Sequence, residues 1–155
     1  EIYMGDWSSD VCSSDLVALF GEKDYQQLMI IRRAATDLCM PMEIIGVATM
    51  READGLAMSS RNRYLSEQDR VLAPRIYAEL ERARRAVESG DHDFAALERA
   101  GFASLQGSGF KPDYFSIRDA ATLEVPTAIA DVVILTAARI GRARLIDNVK
   151  ASLAR

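Results

Sequence analysis

A chain of 155 residues that is 49% hydrophobic holds enough apolar material for one good core or two small ones, which speaks against a chain disordered as a whole. Its formal charge of −4 gives no positive field to gather nucleic acid or an anionic membrane, and no apolar run approaches the roughly 20 residues that span a bilayer. Function is therefore expected in local sites on a protein with neither nucleic acid nor membrane as a partner.

The first elements in chain order are not ordinary ones. The stretch GDWSSDVCSSDL, Gly5 to Leu16, has no apolar repeat of either strand or helix type. Back-translation of Asp6 to Leu16 can be written as a string that resembles a short-read sequencing adapter. Residues 1–16 are accordingly expected to be an artefactual, disordered leader that stands outside functional reasoning. They carry Glu1, Asp6, Asp10 and Asp15 and no base, so the remaining chain is formally neutral. With Cys12 set aside only Cys39 remains; it suits a reducing cytosol and is expected as a small buried residue on a helix.

Leu16 to Phe20 (LVALF) forms a short apolar run ending at Gly21, as a buried parallel strand does. The spacing of Leu28, Ile31, Ala35 and Leu38 predicts a helix from Lys23 to Cys39, closed by Pro41, and MEIIGVATM, Met42 to Met50, reads as a second strand. Strand, helix and strand make one βαβ unit, a piece of a parallel α/β sheet. The polar stretch Arg51 to Asn62, with its Asp54-Gly55 turn, marks a boundary.

Beyond it, Ser66 with Asp69 resembles a capping box, and Ile76, Leu80, Ala83 and Val87 carry a helical stripe to Gly90, divided or kinked at Pro74. A further helix from Asp93 to Leu105 turns Phe94 and Leu97 inward and stops at the GSG of residues 107–109. DYFSIRD, DVVILTAARI and ARLIDNV then read as three strands, the last two joined through Gly141. The second part is thus a small α+β domain with a short antiparallel sheet.

Two stretches carry chemistry. FGEKDYQQL, Phe20 to Leu28, places Gly21, Glu22, Lys23 and Asp24 where a strand hands over to a helix, a position whose free N–H groups and partial positive charge bind phosphate. Lys23 in a first helical turn is unfavourable unless an anion sits there too, and Gln27 is spaced to face the same crevice. A solvated first turn in which Glu22 and Asp24 satisfy the helix dipole and Lys23 is incidental is the other reading. MSSRN, Met58 to Asn62, supplies hydroxyls from Ser59 and Ser60 and the guanidinium of Arg61, which can grip phosphate oxygens in bidentate fashion. Here the other reading is a hydrophilic linker in which Ser60 or Asn62 caps a turn. His92, between Asp91 and Asp93, is expected in a solvated turn and not at a metal.

Together, FGEKDYQQL and DGLAMSSRN, with the later RLIDN, resemble the pantothenate synthetase (pantoate–β-alanine ligase) family of nucleotidyltransferase-like α/β enzymes. The likeness runs from Val17 to Arg155 and corresponds to roughly the C-terminal half of the family's chain. It implies a partial Rossmann-like nucleotide-binding domain at residues 17–54 and a C-terminal lid domain at residues 55–155. It implies ATP-dependent adenylation of pantoate, followed by attack of β-alanine to give pantothenate, AMP and pyrophosphate, with Mg²⁺ on the phosphates. By that likeness Gly21, Glu22, Lys23 and Asp24 line the ATP site, Gln27 holds pantoate, the Met50 backbone meets adenine, and Met58, Ser59, Ser60 and Arg61 close over the phosphates. Lys23, Ser59, Ser60 and Arg61 are the residues it casts as catalytic. It further implies a cytoplasmic enzyme that is a homodimer at full length.

The departure is that the family's N-terminal half, with its His-x-x-His-type motif, has no counterpart before Val17, so this chain by itself is expected to be nearly inactive. Two other readings stay open: a non-catalytic nucleotide-binding or dimerising module, and a different nucleotidyltransferase such as a cytidylyltransferase.

Overall fold

A computed structural model describes residues 16–126 and 131–152. The expected artefactual leader falls almost entirely outside the described residues. Its last member, Leu16, does not belong with it, because Leu16 opens strand β1 and pairs with Met42. The chain divides into two compact units, Glu1–Ala48 and Thr49–Arg155.

In the first unit β1 (Leu16–Gly21) and β2 (Met42–Val47) pair in parallel, with Ala18 opposite Ile44 and Gly21 opposite Val47. Helix α1 (Tyr25–Asp37) connects them and buries Tyr25, Leu28 and Ala35. This is the expected βαβ unit, and its helix is two residues shorter at each end than the apolar spacing suggested. Among the described residues the sheet is two strands wide. Leu19, Ile45 and Val47 are exposed, although parallel sheets as a rule are covered on both faces.

The C-terminal shortening of α1 has a definite cause. Cys39 adopts φ 50°, its N–H donates to the Thr36 carbonyl at 3.1 Å, and the Met40 N–H donates to the Ala35 carbonyl at 2.9 Å. These are the paired bonds of a Schellman cap, with Cys39 in the left-handed position that glycine ordinarily fills. Leu38 and Cys39 therefore lie past the helix and are exposed, contrary to the buried positions expected for them. The helices that end near residues 90 and 109 close with the same pair of bonds and use Gly90 and Gly109 there. Cys39→Gly is expected to stabilise the chain by about 1 kcal/mol, because it removes the Cβ cost of the left-handed conformation. A lower denaturation midpoint than that of the unsubstituted chain would contradict it.

In the second unit α2 (Glu67–Leu72) starts at Ser66, whose Oγ accepts the Asp69 N–H at 3.1 Å and donates to the Asp69 carboxylate at 2.8 Å. Pro74 separates it from α3 (Arg75–Glu88), which buries Ile76, Leu80, Ala83 and Val87 as the periodicity required. Helix α4 (Phe94–Gly107) is capped by Asp93, whose carboxylate accepts the Ala96 N–H at 2.9 Å. Strands β3 (Lys111–Asp119), β4 (Val132–Ile140) and β5 (Ala143–Ala151) form an antiparallel sheet in the order β3-β4-β5. A register shift between Pro112 and Tyr114 lets β3 begin two residues earlier than DYFSIRD suggested. The apolar faces of α3 and α4 and one face of this sheet make a continuous core that includes Leu80, Leu105, Ile117, Ile134 and Leu145.

The division between the units falls at Ala48/Thr49, six residues ahead of the expected boundary. The strand expected to run to Met50 ends at Val47, and the next residues fold back on themselves: Arg51 bridges Ala57 in antiparallel fashion. That hairpin belongs with the second unit.

Candidate functional site

The expected site residues fall in both units, and the two groups are built differently. In the first unit β1 ends at Gly21, which is exposed and has open space where a Cβ would be. The Glu22 N–H still donates to the Val47 carbonyl at 2.8 Å, so the pairing runs one step past the strand. The Glu22 side chain lies over Gly46, whose missing Cβ would fall 2.9 Å from the carboxylate Oε1 and 3.0 Å from Leu28 Cδ2.

Lys23 and Asp24 then precede the helix, so Lys23 is not in the first turn as expected; the chain needs both residues to turn from β1 into α1. Asp24 is the N-cap, yet its side chain accepts no capping hydrogen bond, and the first turn carries no acidic residue. The Asp24 carboxylate therefore stands at the N-terminal end of α1 without accepting a capping hydrogen bond from its N–H groups. Lys23 is half-buried, and Asp24 and Gln27 are exposed. A helix start at the carboxyl end of a parallel strand suits an anion.

In the second unit the hairpin brings Met50 and Met58 together: the Met58 N–H donates to the Met50 carbonyl at 2.9 Å. Both side chains are exposed, Met50 by 69%. Ser59 Oγ accepts the Arg61 N–H at 3.2 Å and caps a 3-10 turn, Ser60–Tyr64, that carries Ser60 and Arg61 outward. The cap is thus Ser59, and neither Ser60 nor Asn62 fills that role. Asn62 Nδ2 instead donates to the Ala57 carbonyl at 3.1 Å, beneath the turn. Arg61 and Ser60 are exposed, as groups that meet a ligand must be.

Sequence reasoning missed what holds the hairpin. The Arg51 guanidinium makes a two-pronged ion pair with Asp147 of β5, at 2.6 and 3.0 Å, and also donates to the carbonyls of Asn148 at 3.2 Å and Gly55 at 3.1 Å. It stacks on the Tyr77 ring at 3.8 Å. Gly55 lies against that ring, where a Cβ would come 2.5 Å from Cδ1. A signal did exist: Asp147 shares a strand face with Ala143, Leu145, Val149 and Ala151, all of them buried, so a carboxylate in phase with apolar residues demanded a partner. At the hairpin's turn Asp54 pairs with Arg70, and that hydrogen bond holds the Asp54 carboxyl below the usual carboxylate range. His92 lies in the exposed turn before α4, in edge contact with the Phe94 ring. Among the described residues no group of three or more His, Cys, Asp or Glu side chains could hold a metal ion, and no helix is long and apolar enough to cross a membrane.

Residues 11–150 match the family model of the pantoate-beta-alanine ligases. The chain belongs to that family. The first six matched residues lie within the tract read as adapter-derived. A pantothenate synthetase of Azotobacter vinelandii is 49% identical over 140 residues, which are 89% of this chain and 49% of that protein. A crystal structure of pantothenate synthetase from Thermus thermophilus superposes with a TM-score of 0.75 at 44% identity, covering 86% of this chain and 49% of that one. The pantoate–beta-alanine ligase of Francisella tularensis, solved in complex with beta-gamma ATP and beta-alanine, superposes with a TM-score of 0.61 at 31% identity over 88% of this chain and 43% of that one. The chain therefore spans about half the length of the ligases it matches, and its α/β unit followed by a three-stranded antiparallel sheet is their fold.

Proposed function

We propose that this chain supplies the nucleotide-handling part of a cytoplasmic pantoate–beta-alanine ligase that is a homodimer at full length. In the reaction a carboxylate oxygen of pantoate attacks the α-phosphorus of ATP and expels pyrophosphate. The amine of beta-alanine then attacks the acyl carbon of the pantoyl adenylate, loses a proton and expels AMP. The observation that carries the reading is the start of α1 directly after β1, with no capping hydrogen bond to the Asp24 side chain, in a chain of this family.

On this reading the Gly21–Asp24 turn lies along the nucleotide and Lys23 offsets phosphate charge as it builds during attack. Gln27 hydrogen-bonds pantoate, and the Met50 backbone meets adenine. Met58, Ser59, Ser60 and Arg61 cover the phosphates, with Arg61 the bidentate donor. Among the described residues no cluster of three or more His, Cys, Asp or Glu side chains would hold an ion, so Mg²⁺ would come with the phosphates of the nucleotide that Lys23 and Arg61 are proposed to meet. When bound it polarises phosphate oxygens and steadies the leaving pyrophosphate.

Titrating the purified chain with Mg–ATP tests the assignment. A charge-assisted contact contributes roughly 1.5–3 kcal/mol, so Lys23→Ala and Arg61→Ala should each weaken binding by about tenfold or more. Unchanged affinity in both variants would refute the site. Pantoate-dependent ATP–pyrophosphate exchange by the chain alone should be far below that of the Azotobacter vinelandii enzyme, since alignment and charge stabilisation act together. Exchange at a comparable rate would show that this part suffices.

A further inference from the structure

We infer that Arg51 is the positioning residue of the nucleotide-facing hairpin: clamped to Asp147, it fixes the Met50 backbone and the Met58–Arg61 segment in one arrangement before any ligand arrives. The inference rests on the proposed ATP site and adds to it a residue that touches neither substrate nor reacting atom.

The geometry is specific. Arg51 sits at the base of the hairpin, one residue from Met50, and opposite Ala57, one residue from Met58. Its guanidinium reaches across to β5 and also back to the Gly55 carbonyl within its own hairpin, so a single planar group ties base, turn and sheet together. Asp147 is only 4% exposed, and its Oδ1 also accepts the Asn148 N–H at 2.8 Å, which leaves the carboxylate no freedom to follow a moving partner. Tyr77 closes the remaining face of the guanidinium at 3.8 Å. Only arginine supplies a fork and a flat stacking face at once; lysine keeps the charge and loses both.

The second tie, Arg70 to Asp54 at the hairpin's turn, is solvent-exposed on both partners and serves as an internal control. Exposed pairs of this kind contribute little.

The experiment uses the whole chain with Arg51→Lys, Asp147→Asn and, separately, Arg70→Ala. Amide hydrogen exchange is followed at Glu52, Gly55 and Met58, whose N–H groups make the hairpin's own bonds to Leu56, Glu52 and Met50. Mg–ATP affinity is measured in parallel. Arg51→Lys and Asp147→Asn should speed exchange at these three amides by about tenfold or more while β3–β5 stay protected, and should weaken Mg–ATP by about tenfold. Arg70→Ala should stay within about twofold of the unsubstituted chain on both measures. Unchanged exchange in the hairpin, a uniform rise across the whole unit, or an equal effect of Arg70→Ala would overturn the inference whatever the nucleotide does. Unaltered Mg–ATP affinity beside a loosened hairpin would overturn it as well. Failure of the unsubstituted chain to bind Mg–ATP overturns instead the site reading on which it rests.

Discussion

Arg51→Met is expected to destabilise the second unit by about 3–5 kcal/mol, because it leaves the charge of a carboxylate that is 4% exposed without its arginine. The side chain of Asp147 is 3% exposed and that of Arg51 19%, so the two halves of the pair are not equivalent. Asp147→Ala should cost less, since Arg51 keeps the Gly55 and Asn148 carbonyls, the Tyr77 face and some access to water. The double variant Arg51→Met/Asp147→Leu should recover most of the loss, as apolar replacement of a buried pair commonly does. Urea unfolding followed by circular dichroism gives all three values, with the slope checked for constancy. An Arg51→Met loss under about 1 kcal/mol would mean that the pair is solvated in practice and contributes as a surface pair does.

The same pair marks where the sequence stopped being readable. Strand, helix, strand and then helices before three strands could be laid out from apolar spacing, because period two and the helical repeat are local quantities. Boundaries failed where backbone chemistry overrode that spacing. Leu38 fits the apolar face of α1 by position, but the Schellman cap at Cys39 ends the helix before it, and nothing in a cysteine announces a left-handed residue. Met50 ends the strand-like run MEIIGVATM, and the Met58 N–H bond to its carbonyl, with the Arg51–Ala57 bridge beside it, puts it in the hairpin of the other unit. Of the candidate residues, the local settings were legible: Lys23 beside a helix start, and Ser59 to Arg61 at a turn. Their support was only half legible: Asp147 in phase with apolar residues called for a partner, but nothing local named Arg51, which lies 96 positions away. Lys23 was reasoned from a first-turn position that it does not occupy, so its assignment now stands on its place between β1 and the N-cap Asp24.

Leu80→Ala is expected to cost about 2–5 kcal/mol, through lost burial and the cavity left behind. Leu80 is 0% exposed at the middle of α3, within the core that also holds Ile76, Ala83, Ile117 and Ile134, so its neighbours are held from both the helix layer and the sheet. Such a site cannot collapse cheaply, which favours the upper part of the range. Val71→Ala, on a residue 79% exposed, should stay within about 0.5 kcal/mol and calibrates the measurement. The pair of results also separates global from local effects. A core truncation lowers the free energy of opening for every amide that exchanges only on unfolding, including those of β4, whereas Arg51→Lys, which keeps a positive charge beside Asp147, should release the hairpin and leave β4 protected. If Leu80→Ala instead raised exchange at Glu52, Gly55 and Met58 before it did so in β4, the hairpin would owe its order to the α3 core, and its clamp to β5 would be secondary.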